Sequence, residues 1–389
     1  MLVVACRGEP AKRDEPTPTG SAQSPIAPVS VVPKLPKSRD GRVEMRELDG
    51  AIARGREPNV LVNLLLQRAA IRGGLGDLVR ALELSKLWIE TAPDDFGAWQ
   101  ARVTALSRVH QFAAASEALE RARGLAPEPD AWREVAAVID EATGQHVRAG
   151  VYRAEQAKLY PNPRSLTHHA VSLALDGKVE AAIAVIPQAA ATVRDNPAAL
   201  LAWLLVQWGK LYTQHGEHAA ARRFYEDAHA RLPASVEAAV LVAESIAATG
   251  GDARATVAEA LAENPRHPEL LALAGKDAEA ARAWEAHVKA LPEAFADHAA
   301  RFFLAAGKDP VRALALARLN VANRQTAEAR ALVVQAALAA NQPAVACEVA
   351  PALARGTRAH QFLAWRAFGA CGRKAEADEL ASRLGIRAG

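Results

Sequence analysis

The chain has 389 residues, with 47 Lys and Arg against 44 Asp and Glu for a formal net charge of +3, and half of it is apolar although only 5% is aromatic. Such near balance, with the two signs interspersed after residue 40, gives no reason to expect nucleic acid as a partner. No stretch reaches the roughly 18 apolar residues that cross a bilayer as a helix, so the body is expected to be soluble. Few aromatics with abundant Ala suit helices packed closely over small side chains, not strands of Val, Ile and Tyr.

Residues 1–40 come first and lack hydrophobic periodicity, with prolines at 10, 16, 18, 25, 28, 33 and 36. The segment is expected to be a disordered tether, extended at about 3 Å per residue. Within it, Val3, Val4 and Ala5 precede Cys6. This resembles the lipobox of bacterial lipoproteins, which implies lipidation of Cys6 and, with Arg7 following, an outer-membrane site facing the periplasm. Only four apolar residues separate Met1 from Cys6, fewer than a signal core of about 7 to 15 requires. The true start is therefore expected to lie upstream. The alternative is a cytoplasmic protein with an incidental cysteine.

From residue 41 to 389 the organising feature is a period. Pro93, Pro127 and Pro161 are each 34 residues apart; Pro58 precedes them by 35, and Pro197, Pro233, Pro265 and Pro292 follow at 36, 36, 32 and 27. A proline has no N–H to donate and clashes with the turn before it, so a recurring one marks where a helix stops. A period of this length with a terminal proline resembles the tetratricopeptide repeat (TPR). Its pattern is met by Leu205, Gly209, Tyr212, Ala221, Tyr225, Ala228 and Pro233 in one unit. A second unit carries Trp99, Val103, Leu106, Ala115, Leu119, Ala122 and Pro127, where Val103 departs from the small residue of the pattern. Other units are looser: Arg153 stands where a large apolar residue is expected, and residues 266–292 leave room for only a short first helix.

The resemblance implies an all-α fold, an α-solenoid of about eight or nine antiparallel helix pairs wound as a right-handed superhelix, with a concave groove lined by the first helices. Carried over residue by residue, the groove would hold Gly97, Gln100, Thr104, Ser107 and Arg108 from one unit, and Trp203, Val206, Lys210, Thr213 and Gln214 from another. Gln100, Thr104, Arg108, Trp203, Lys210 and Gln214 are the candidate peptide-binding residues. Trp203 supplies contact area and Lys210 a charge for a carboxylate, though Trp203 is equally suited to pack against the next unit. The clamp that grips chaperone carboxylates in some relatives is not reproduced, because Val206 and Gln100 stand where it needs Lys.

His215 and His218 lie close in sequence with Glu217 between them, yet Gly216 marks a turn and no third ligand is near, so no metal is expected. Cys347 and Cys371 fall in neighbouring units. They are either a disulfide, if their Cα atoms approach within about 7 Å, or buried thiols. No phosphate loop, nucleophile elbow, HExxH or paired Cys-x-x-Cys occurs; Gly73, Gly74 and Gly76 of "RGGLGD" fall at a turn between helices with no strand before them. The chain is expected to be no enzyme, to need no cofactor and no small-molecule substrate, and to meet the membrane only through Cys6. Its partner is expected to be a protein or peptide.

Overall fold

This computed structural model describes residues 33–128, 131–194 and 197–386. Cys6 and the tether up to residue 32 lie outside the described residues. Among those described, every regular element is helical: twenty-one α-helices and one short 3-10 turn.

A leading helix, α1 (Gly41–Arg54), precedes a series of antiparallel pairs. These are α2 (Pro58–Arg72) with α3 (Leu75–Thr91), α4 (Phe96–Arg108) with α5 (Phe112–Leu125), and α6 (Arg133–Thr143) with α7 (His146–Leu159). Then come α8 (Pro163–Leu175) with α9 (Val179–Ala191), α10 (Ala198–His215) with α11 (His218–Arg231), α12 (Val236–Ala248) with α13 (Arg254–Glu263), and α14 (Pro268–Leu273) with α15 (Asp277–Ala290). Among the described residues, contacts group the helices into two compact units that meet after residue 294, just inside α16 (Pro292–Leu304). The second unit continues through α17 (Pro310–Asn323), α18 (Ala327–Ala339), α19 (Pro343–Val349), α20 (Arg358–Ala370) and α21 (Lys374–Leu384).

The periodic prolines do two jobs. Pro93, Pro127, Pro161, Pro233 and Pro265 each follow the second helix of a pair within two residues, whereas Pro58 and Pro292 open α2 and α16. At a first helical position the missing N–H is one that would have had no partner anyway. Starts are also fixed by side chains: Asp40 accepts from the Arg42 N–H at 2.8 Å, and Asn162 caps α8 with both the Arg164 and Ser165 N–H groups at 3.0 Å.

Within a pair, small residues set how closely the helices approach. A Cβ on Gly209 of α10 would lie 2.3 Å from Cε1 of Tyr225 on α11, so only glycine fits against that ring. In the pair α4/α5 the corresponding residues are Val103 and Leu119, both buried in one cluster. The smaller Leu119 leaves the space that Val103 fills, which accounts for its departure from the pattern. Between pairs, the fully buried Trp208 donates its ring N–H to Thr167 Oγ1 at 3.0 Å, tying α10 to α8.

Arg153, in place of an apolar residue, is also buried, at 1% exposure. Its guanidinium meets Glu134 and Glu141 at 2.8 Å. Burial works against the charge, but the hydrogen bonds and charges of Glu141 and Glu134 outweigh it and raise the pKa. An ionic knot thus joins α6 to α7 where other pairs use aromatic or aliphatic packing.

The first unit curls. Helix α2 reaches α12, and Gly73, held at φ +64°, lies where a Cβ would be 2.4 Å from His267 Nε2. Helix α1 sits against both α2 and α10, burying Met45, Leu48 and Ile52. Residues 33–40, expected as the end of the tether, are mostly exposed, with two points of attachment. Leu35 is buried in the core cluster, and the Pro36 carbonyl accepts from Arg231 Nη1 at 2.8 Å.

In the second unit Cys347 and Cys371 are joined as a disulfide, with Cα atoms 6.2 Å apart. Of the two states left open by sequence, the structure holds the oxidised one.

Two outcomes follow for stability. Gly209→Val should cost roughly 2 kcal/mol by overpacking Tyr225, and adding Tyr225→Leu should restore much of that loss, as read from denaturant curves of the single and double variants. Cys347→Ser should destabilise the second unit by about 3 kcal/mol through the lost loop constraint, visible as a lower melting temperature that reductant reproduces in the unaltered chain.

Candidate functional site

The residues expected to line the groove, and the charged and aromatic side chains around them, come from four first helices, α4, α8, α10 and α12. Trp203 on α10 is half-buried and stacks obliquely on His168 of α8, ring centroids 5.1 Å apart at 49°. The guanidinium of Arg164, also on α8, lies 5.5 Å from the Trp203 ring centroid. Trp203 therefore does pack against its neighbouring pair, while its remaining surface stays open. A cation over an indole face is held by the ring quadrupole.

Lys210, further along α10, pairs through Nζ with Glu237 of α12. Across the curl, Glu237 and Arg164 both act electrostatically on Arg108 at the end of α4. Arg108 is exposed, and among the described residues it makes no hydrogen bond or ion pair. The protein around it pushes its pKa down by desolvation, with Glu237 opposing that shift and Arg164 adding to it. The site thus carries Arg108, Arg164 and Lys210 against Glu237, beside an indole.

Other candidates are placed differently. Thr104 is half-buried and turns its hydroxyl back to the Gln100 carbonyl at 2.9 Å. Gln214 is exposed and its side-chain amide donates to the Ala174 carbonyl at 3.4 Å. Val206 and Ser107, expected in the groove, are buried, and Thr213 shares a hydrogen bond of 2.8 Å with the Tyr225 hydroxyl. These three are consumed by packing between helices.

Sequence reasoning missed Arg164 and Glu237 because their helices belong to looser units, and weighed His168 with His169 only as a metal ligand, expecting both to be solvated. A usable signal was present: Arg164 and Glu237 are the second residues of α8 and α12, as Gly97 is of α4. Reading the same register through every first helix finds both.

Histidine chemistry is shaped by surroundings. His168 is pushed down to about 4, first by burial and then by Arg153, Arg164 and Arg108. It is neutral at pH 7, as suits a ring stacked among cations. His215 sits 3.9 Å from Glu180. Among the described residues, no group of three or more His, Cys, Asp or Glu is placed to hold a metal ion. Gly73 and Gly74 form the turn between α2 and α3, where Gly74 is the N-cap of a helix.

No family model matches the chain, and no curated protein matches it. Among solved structures it is similar to the APC/C hetero-tetramer Cut9-Hcn1, at 12% identity over 84% of this chain and 62% of that one, with a TM-score of 0.45. Yeast Tom70 is similar at 13% identity over 88% and 95% of the two chains, TM-score 0.33. The TPR domain of P58(IPK) is similar at 15% identity over 77% and 95%, TM-score 0.24.

The depressed pKa of His168 carries a pH consequence. Unfolded, the ring takes a proton near its ordinary value of 6.5; folded, it resists until about 4. Native stability is therefore intact above the higher value and falls as pH drops between the two. His168→Gln should lose less stability than the unaltered chain over that window and match its pH trend above it, measured by urea unfolding at stepped pH.

Proposed function

We propose that the chain is a non-enzymatic scaffold that holds a peptide or helix of a partner protein in the groove of its first unit. The observation that carries this reading is the Arg108 guanidinium, open and unpaired among the described residues, opposite the Arg164 and Trp203 stack. An extended acidic segment with an apolar side chain suits such a surface, the carboxylate meeting Arg108 and the apolar group lying on the indole.

We further propose that the protein works in the bacterial envelope, anchored by a lipid on Cys6 at the outer membrane and facing the periplasm. The Cys347–Cys371 disulfide supports this, since such bonds persist in oxidising compartments and are rare in the cytosol. A cytosolic adaptor would be expected to keep both residues as thiols.

Binding is tested by fluorescence anisotropy of a labelled acidic peptide library against the full chain. Arg108→Glu and Trp203→Ala should each weaken the best ligands by about tenfold or more, with helix content unchanged. Equal affinity in both variants would remove the groove from the account. Anchoring is read separately, by mass spectrometry of the mature N-terminus from fractionated cells: a lipidated Cys6 is expected, and a soluble, unmodified start would overturn it.

A further inference from the structure

Helix α10 begins Pro197-Ala198-Ala199, and Pro197 offers no side chain to cap the first turn. The free N–H groups are met from elsewhere. Glu44 of α1 accepts from Ala198 N–H at 2.7 Å through Oε2 and from Ala199 N–H at 3.1 Å through Oε1. A carboxylate at a helix N-terminus satisfies orphan donors and complements the macrodipole at once. Here the cap is supplied by a helix 154 residues away.

The same helix is fastened at both ends. Its start packs on the end of α11, where a Cβ on Gly41 would lie 2.2 Å from the Arg231 carbonyl oxygen. Arg42 reaches Glu259 of α13 at 3.2 Å. Towards its far end Asp49 takes Arg68 and Arg72 of α2 at 2.9 and 3.1 Å. Between these, Met45, Leu48 and Ile52 enter the core cluster shared with α2, α10 and α12. A cavity of about 120 Å³ remains beside the seat, lined by Met45, Arg46, Arg72, Ala234 and Glu263 among others. The first pair and the fifth and sixth pairs are thus joined through α1.

We infer that α1 is a clasp: seated, it holds the first unit curled and so brings Arg108 of α4 near Glu237 of α12; unseated, it lets the groove open. Stacked pairs contact only their neighbours, so a solenoid has little of its own to fix a curl between its first and sixth pairs. The α2–α12 contact and the α1 bridge do that here. The clasp regulates the same groove that the proposed function uses, and the inference rests on that reading only for its purpose, not for its mechanics. A three-residue connection, Gly55 to Glu57, joins α1 to α2. The helix can leave its seat on α10 while staying attached to the first pair.

The test uses the full chain without any peptide, so its outcome is separate from whether the groove binds one. Two variants are compared with the unaltered protein: Glu44→Ala, which removes only the cap, and Glu44→Ala with Leu48→Asp, which also makes the apolar seat untenable. Hydrogen–deuterium exchange reads the seating of α1, and small-angle scattering reads the curl. Glu44→Ala should speed exchange in α1 and the first turn of α10 by about fivefold. The double variant should expose α1 fully and raise the radius of gyration, with α4, α5 and the second unit still protected. If α1 exchanges freely and the radius stays unchanged, the clasp does not hold the curl and the inference fails. If α1 stays protected with Asp at position 48, the named contacts are not what seat it, and the inference fails equally. Should the double variant unfold throughout, Glu44→Ala alone decides: unchanged exchange in both α1 and α10 overturns the assignment.

Discussion

Two backbone N–H groups at the start of α10 find their acceptor in Glu44, on a helix that belongs to no repeat. A solenoid made only of nearest-neighbour contacts has a curvature set by small rotations between pairs. This one carries a cross-brace as well, through α1 and the α2–α12 contact. The apolar face of α1 and the charge pairs at its ends make the brace a helix-sized interface, far more than one hydrogen bond.

The groove inherits its character from that closure. Arg108 and Glu237 stand on first helices four pairs apart, which a straight stack of helices at about 8–10 Å spacing would separate by roughly 40 Å. In the curled unit they act on each other's charge. Three cations then share a space with one carboxylate, and the neighbouring imidazole of His168 stays neutral because burial, and then the charges of Arg153, Arg164 and Arg108, oppose protonation of its ring. The indole of Trp203 lies against Arg164 and His168, offering apolar area beside charge, the combination from which peptide recognition is built.

Much of the local architecture was legible in the sequence. The proline period located five ends of second helices, because a missing N–H acts wherever it stands in the chain. Gly209 and Tyr225 named a close approach that the structure contains, and Val103 with Leu119 show the same space divided differently. What could not be read was anything joining distant pairs. Nothing about Glu44 in a sequence marks it as the cap of a helix that starts at Ala198. Arg153 read as a misfit because its compensating Glu134 and Glu141 lie on another helix. Cys347 and Cys371 could be paired only once their Cα separation was known. The cluster was half legible: Trp203, Lys210 and Arg108 were named from the two best units, and the structure sets Arg164 beside the first and Glu237 beside the second, from units whose register had drifted.

Long-range closure of the first unit is measured by one distance. Spin labels at Arg108→Cys and Glu237→Cys, in a full chain with Cys6→Ser, report the span from α4 to α12 by pulsed electron resonance. A narrow distribution centred well below the roughly 40 Å of a straight stack is the expected result. A distribution centred near that value, or spread broadly across it, would contradict the curl and with it the groove that the curl assembles.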